Sequence, residues 1–393
     1  MFASRTNWRL ETNRLTRALE EHRQSGKELL DLTASNPTTC GFAYPEREIL
    51  AALADPRGLV YRPESKGLPE AREAVAEYYA GREGFSGSSA PVHPQRILLA
   101  SGTSEAYNHI FRLLCEPGDE ILVPAPSYPL FEFLADLADI RLVPYPLLYD
   151  HGWQIDFGSL RNALTPRSRA VLVVHPNNPT GSFVKPREAA ELAEICAARE
   201  MAIVADEVFL DFTGGATAAK TFALSDAALT FTLSGISKIS LLPQMKLAWT
   251  VVGGPQPVVQ PAVDRLEIIA DTYLSPSTPV QLALPIFLSL RHSMQEQVQR
   301  RISANLTVLD GLLRESKLLA RLDREGGWYA ILRVPVTGTD DDLTVALLER
   351  FSVLVHPGHF FNFSRDGFLV LSLITPQDRF KKGVLRLLKL FDQ

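Results

Sequence analysis

Apolar residues gather in short unbroken runs through the middle of the chain, at 97–100, 120–123, 171–174, 201–205, 228–233 and 247–252. Runs this short, bounded by polar and turn residues, predict strands covered on both faces, the pattern of a parallel sheet. Between two of them the period changes. From Pro186 to residue 200, Leu192, Ile195 and Cys196 recur at helical intervals, and Pro186 suits a first turn. Strand–helix–strand order of this kind predicts a parallel sheet joined by right-handed crossovers.

The flanks are patterned differently. Residues 281 to about 315 predict a long helix, with Pro285 as the place for a bend. Strands are expected at 327–334, 353–355 and 368–373, and a closing helix at 377–391. Loops are expected at 84–91 (GFSGSSAP), 213–219 (TGGATAA) and 253–257 (GGPQP). The reading is α/β: a large domain over 46–280, and a smaller α+β domain built from 1–45 and 281–393. The long helix links the two.

At 393 residues the chain exceeds what one core usually holds. Its 46% hydrophobic and 22% charged residues exclude a disordered, collagen-like or coiled-coil chain. Forty Lys and Arg against 45 Asp and Glu leave a net charge of −5, with no basic surplus for nucleic acid or an anionic membrane. Cys40, Cys115 and Cys196 lie too far apart for a metal cluster and are odd in number, so they read as small buried residues in a reducing compartment. The N-terminus lacks the apolar core of a signal peptide, and no apolar run reaches bilayer length. A cytoplasmic protein with no membrane partner is expected.

Four polar segments fall just beyond predicted strands: Ser101-Gly102-Thr103-Ser104, His175-Pro176-Asn177-Asn178-Pro179-Thr180-Gly181, Asp206-Glu207, and Ser234-Gly235-Ile236-Ser237-Lys238. In open α/β sheets ligands bind at that edge. Each segment also has a plain reading. Ser101 or Thr103 can cap a helix, Asn178 to Gly181 can be a simple turn, and Lys238 can be a surface lysine. The first can equally cradle a phosphate, and Lys238, between Ile236 and Ile239, can be a nucleophile whose pKa burial lowers.

Taken in order, the segments resemble the class I/II aminotransferases, enzymes of pyridoxal-phosphate (PLP) fold type I. The strongest parts are NPTG at 178–181, DEVF at 206–209 and SGISK at 234–238. The resemblance runs from the LDLTASNPT segment beginning at Leu30 to the final helix. It implies a mainly parallel central sheet flanked by helices, pyridoxal 5'-phosphate as cofactor, and transfer of an amino group between an amino donor and a carbonyl acceptor. Lys238 then forms the cofactor imine and shuttles a proton, and Asp206 faces the pyridine nitrogen. Asn178 donates to the ring oxygen and Tyr128 stacks on the ring. Gly102, Thr103, Ser104 and Ser237 hold the phosphate. Tyr61 resembles a tyrosine that reaches a phosphate across a dimer interface, which implies a homodimer with shared sites.

Three departures stand out. Phe209 replaces a tyrosine that donates to the ring oxygen, which implies a more basic imine. Lys246 replaces a phosphate-gripping arginine, keeping the charge without the planar fork. Val370 stands where relatives carry the arginine that clamps the substrate carboxylate. Arg365, Arg333, His356 and His359 are the nearest substitutes in sequence, and no third ligand makes the two histidines a metal site. The departures keep a lyase, decarboxylase or oxidase on the same scaffold as the alternative, with a non-catalytic PLP-binding protein behind it.

Overall fold

A computed structural model of the chain describes residues 1–8, 10–85, 87, 91–214 and 219–391. The expected loops at 84–91 and 213–219 fall partly outside the described residues. Strand β1 (Leu30–Asp31) comes first. It is followed by β2 (Ile97–Ala100), β3 (Glu120–Ala125), β4 (Arg141–Tyr149), β5 (Trp153–Ile155), β6 (Ser168–Val174), β7 (Ala202–Asp206), β8 (Thr230–Gly235) and β9 (Ala248–Gly253). Among the described residues these last eight form one sheet, ordered β2-β9-β8-β7-β6-β3-β4-β5.

The run β8-β7-β6-β3-β4 is parallel, as the apolar runs predict. Strand β9 departs from the expectation: it runs antiparallel to both β8 and β2. A doubly covered strand is apolar whichever way it points, so its residues carry no sign of direction. Because β2 reverses β9, β2 points the same way as β8, and the carboxyl ends of β2, β3, β6, β7 and β8 share one edge.

Alternate residues of β6 enter opposite layers. Ala170, Leu172 and Val174 pack with Ile110 of the helix Thr103–Leu114 and Val263 of the helix Gln256–Tyr273. Val171 and Val173 pack with Leu192, Ile195 and Cys196 of the helix Pro186–Ala198. The apolar stripe read from the sequence is therefore the buried face of that helix.

The expected long helix runs Thr278–Leu313 with Pro285 inside it, and packs against the helices Glu46–Leu53, Pro69–Tyr79 and Gln377–Leu388. A second sheet combines β10 (Ala320–Arg321), β11 (Tyr329–Arg333), β13 (His356–Pro357) and β14 (Phe368–Ser372) in the order β10-β11-β14-β13. The remaining strand, β12 (Val353–Leu354), pairs in parallel with β1. Among the described residues no helix is long and apolar enough to cross a membrane.

Candidate active site

At the shared carboxyl edge lies a cavity of about 310 Å³. Each wall can be traced to a strand end. Strand β2 stops at Ala100, and after two intervening residues the helix Thr103–Leu114 starts with Gly102 as its N-cap. No side chain caps it, so the capping role open to Ser101 or Thr103 is not taken. The N–H groups of the first turn, at the positive end of the helix dipole, point toward the site. Lys246, in left-handed backbone (φ 54°), brings its Nζ to within 3.5 Å of where a Cβ on Gly102 would sit. Uncapped amides, a residue without a side chain and an ammonium make a cradle for an anion.

Strand β7 ends in two carboxylates that part ways. Glu207 turns into the protein, where it accepts from the Thr221 hydroxyl (2.7 Å) and the Phe222 N–H (2.6 Å) and burial raises its pKa to about 7. Asp206 lines the cavity and accepts from the Tyr107 hydroxyl (2.8 Å) and the Val208 N–H (3.0 Å). Burial raises its pKa, and both hydrogen bonds oppose the rise. Tyr107 lies on the helix Thr103–Leu114, and no motif in the sequence ties it to Asp206.

After β8, the short helix Ile236–Ile239 buries Ile236 and Ile239 and turns Lys238 into the cavity. Its Nζ lies 5.1 Å from the Trp328 ring centroid and 5.7 Å from that of Phe209. Burial lowers the amine's pKa to about 8, partly opposed by the negative charge of Asp206.

Beyond β6 the two asparagines have different fates. Asn177 accepts from the Ser127 hydroxyl (2.9 Å) and donates to the Pro126 carbonyl (3.0 Å) and the Thr180 hydroxyl (2.9 Å), tying this turn to the segment that carries Tyr128. Asn178 lines the cavity with its buried Oδ1 unpartnered. A buried amide without a partner is rare in a protein that has no use for it.

Thr103, Tyr128, Phe209 and Ser237 complete the predicted part of the wall, and Gly102 and Lys246 adjoin at the anion cradle. Ser104 follows Thr103 in the same first turn but does not line the cavity. Tyr61 stands apart, 77% exposed. Not foreseen from the sequence are Ser35, Tyr329, Phe360 and Phe361, which close the far end with His356.

The family pattern described as aminotransferase class I and II matches residues 27–380. The chain belongs to this family. Curated relatives of this aminotransferase include the glutamate-pyruvate aminotransferase AlaA of Haemophilus influenzae, 26% identical over 89% of this chain and 87% of that protein. The alanine aminotransferase of Mycobacterium tuberculosis is 28% identical over 88% of this chain and 81% of the relative. Among solved structures, an alanine aminotransferase from Pyrococcus furiosus superposes with a TM-score of 0.90 at 22% identity, covering all of both chains. An aminotransferase from Escherichia coli gives 0.87 at 24%, over 100% of this chain and 98% of that one. Enzymes of this family and fold use pyridoxal 5'-phosphate, and the cavity suits it: an anion cradle, a buried carboxylate, an unpartnered amide and a buried amine surround one space.

At the position where the resemblance implied a carboxylate-clamping arginine, this aminotransferase has a valine. Val370 is fully buried in β14. Of the four substitutes considered from sequence, Arg333 and Arg365 line a separate depression of about 1360 Å³, alongside Trp153 and Phe368. His359 is exposed, with Nε2 3.7 Å from an Asp341 carboxylate oxygen. His356 alone of the four lines the cavity.

Proposed function

We propose that this aminotransferase works through Lys238 and Asp206, with the phosphate of its cofactor in the Gly102–Lys246 cradle. The observation that carries the reading is the burial of the Lys238 amine in the same cavity as Asp206, with a pKa lowered to about 8. Such an amine gives up its proton near neutral pH and serves in turn as nucleophile and as proton carrier at Nζ. When bound, pyridoxal phosphate supplies an aldehyde for amines and a ring that draws electron density from the substrate carbon.

The chain's own residues hold and orient. Asp206, kept in place by Tyr107, presents a negative oxygen for a protonated ring nitrogen. Asn178 offers its amide, Tyr128 its ring face, and Phe209 an apolar edge. Thr103, Ser104 and Ser237 add donors around the phosphate. Phe360 and Phe361 keep water from the far end. The names of the curated relatives support exchange of an amino group between an amine and an oxo compound.

We also read the active unit as a homodimer. Leu59, Val60 and Tyr61 are consecutive and all exposed, an unusual run to leave in water, and Tyr61 is the residue that would reach the partner's phosphate.

The deciding experiment is Lys238→Ala. The variant is expected to fold, to hold the cofactor without a borohydride-reducible bond, and to lose transfer by at least about a thousandfold, as removal of a covalent catalyst does. Full turnover in this variant would overturn the assignment. In the unaltered enzyme a donor amine should yield one oxo product per site with the cofactor left in its amino form; ammonia or carbon dioxide release without that form would favour a lyase or decarboxylase.

A further inference from the structure

The far end of the cavity is built from one face of the smaller sheet. Tyr329 and Ser372 are register partners across β11 and β14, and Val370 and His356 across β14 and β13. Directly opposed residues on antiparallel strands project from the same face, as do residues two apart on one strand. Tyr329, Val370 and His356 therefore share a face, and the His356 imidazole stands immediately beside the valine. Ser35, a near neighbour of the Tyr329 hydroxyl, joins them from the segment after β1.

The charge available at this end is small. Lys238 and His356 are the basic side chains that line the cavity among the described residues, and Lys238 serves the cofactor. Lys246 is turned to the Gly102 cradle. Arg333 lies four residues along β11 from Tyr329 and opens onto the separate depression. Burial favours the neutral form of His356, outweighing the Asp31 carboxylate and the Thr33 backbone, which favour the charged form. Within this chain, what remains is one neutral imidazole and two hydroxyls. Each offers a single donor, and none supplies the paired donors and fixed charge that a desolvated carboxylate needs.

We propose that this aminotransferase takes amines whose nitrogen-bearing carbon carries a neutral hydrogen-bonding group, an amide or alcohol, in place of a carboxylate, and that His356, with Ser35 and Tyr329, reads that group. The inference rests on the proposed roles of Lys238 and Asp206, because it assumes the substrate nitrogen sits at their end of the cavity. His356 is a specificity residue here: it touches the substrate and carries no proton in the transfer.

The test uses the PLP-loaded enzyme and three amines of one shape: L-alanine, L-alaninamide and L-alaninol. Each is mixed in single turnover, and loss of the visible cofactor band gives a rate constant over a dissociation constant. The amide or the alcohol is expected to exceed the amino acid by about tenfold or more, the scale of leaving one buried charged group short of a partner. Lactamide and lactate, which have no amine to react, are compared by calorimetry, and lactamide should bind more tightly. Val370→Arg should move the preference toward alanine. His356→Leu should weaken the amide and the alcohol by more than it weakens isopropylamine, which offers nothing to read. The panel on the unaltered enzyme decides the matter even if a variant does not fold. Alanine reacting fastest, or lactate binding more tightly than lactamide, overturns this inference alone. Reaction of none of the three amines also overturns it, whereas unimpaired conversion of any of them by Lys238→Ala overturns the assignment of Lys238.

Discussion

Burial changes the Lys238 amine more than any partner does. With a pKa of about 8, roughly a tenth of it is neutral at pH 7, against well under a hundredth of an ordinary lysine. Capture of pyridoxal phosphate by the cofactor-free protein should therefore speed up about tenfold per pH unit up to pH 8 and level off above it. Stopped-flow absorbance reads this directly, and an inflection near the ordinary lysine value would contradict it. Asp206→Asn removes a negative charge that favours the ammonium and should move the inflection lower. Tyr107→Phe leaves Asp206 with one donor in place of two. Loss of that bond should destabilise the protein by about 1–2 kcal/mol in a denaturant titration near neutral pH. The meeting of Lys238, Asp206 and Asn178 in one cavity was legible because each sits in a short motif at a strand end. Tyr107 was not, since only the packing of its helix on the sheet carries its hydroxyl to Asp206. The part Asn177 plays was hidden for a related reason: its work is done on Pro126 and Ser127, 51 and 50 residues away.

At the scale of elements, the turn after β6 shows why a glycine closes the NPTG motif. Gly181 has φ of +70°, and a Cβ there would lie 2.3 Å from the Gly326 carbonyl oxygen. The same turn accepts the Gly326 N–H at the Gly181 carbonyl (2.8 Å), so the two backbones cannot separate without loss. Gly41 has nearly the same φ, +73°, with open space around it. Gly41→Ala should cost about 1 kcal/mol, the left-handed term alone, and Gly181→Ala clearly more. Urea midpoints of the two variants separate strain from collision, and equal shifts would show that the turn can yield. Strand β4 is the element that the sequence pattern concealed. Pro144 and Pro146 interrupt it, and prolines argue against a strand inside a sheet. They are tolerated because β5 pairs only with Leu147–Tyr149, so the outer side asks no ladder N–H of either proline. The Pro146 carbonyl faces that outer side, accepting from the Asp156 N–H (3.0 Å), so its missing N–H deprives β3 of nothing. The apolar runs of β2, β3 and β6 to β9 were legible because burial on both faces leaves a plain signature. The direction of β9 was not, for the reason given above.

For the whole molecule, the proposed pairing of two chains is checked by sedimentation velocity, which should give twice the mass of the chain at micromolar concentration. Tyr61→Phe should leave that mass unchanged and loosen the cofactor by about three- to tenfold, the worth of a single hydrogen bond to a charged group. A purely monomeric species that retains full activity would remove Tyr61 from the site. The two ends of the chain also meet: Leu30 and Asp31 pair with Val353 and Leu354, and the Ser372 N–H donates to the Leu32 carbonyl (2.7 Å). The Ser372 hydroxyl donates to the Ala34 carbonyl, next to Ser35. This joint imposes an order on manufacture. A chain emerging from the ribosome can complete the sheet that holds the anion cradle, Asp206 and Lys238 once residue 253 has cleared the ribosome. Ser35, made long before, waits for β12 to β14, more than a hundred residues later. The end of the cavity proposed to grasp the cofactor can therefore take shape earlier in synthesis than the end proposed to choose the substrate.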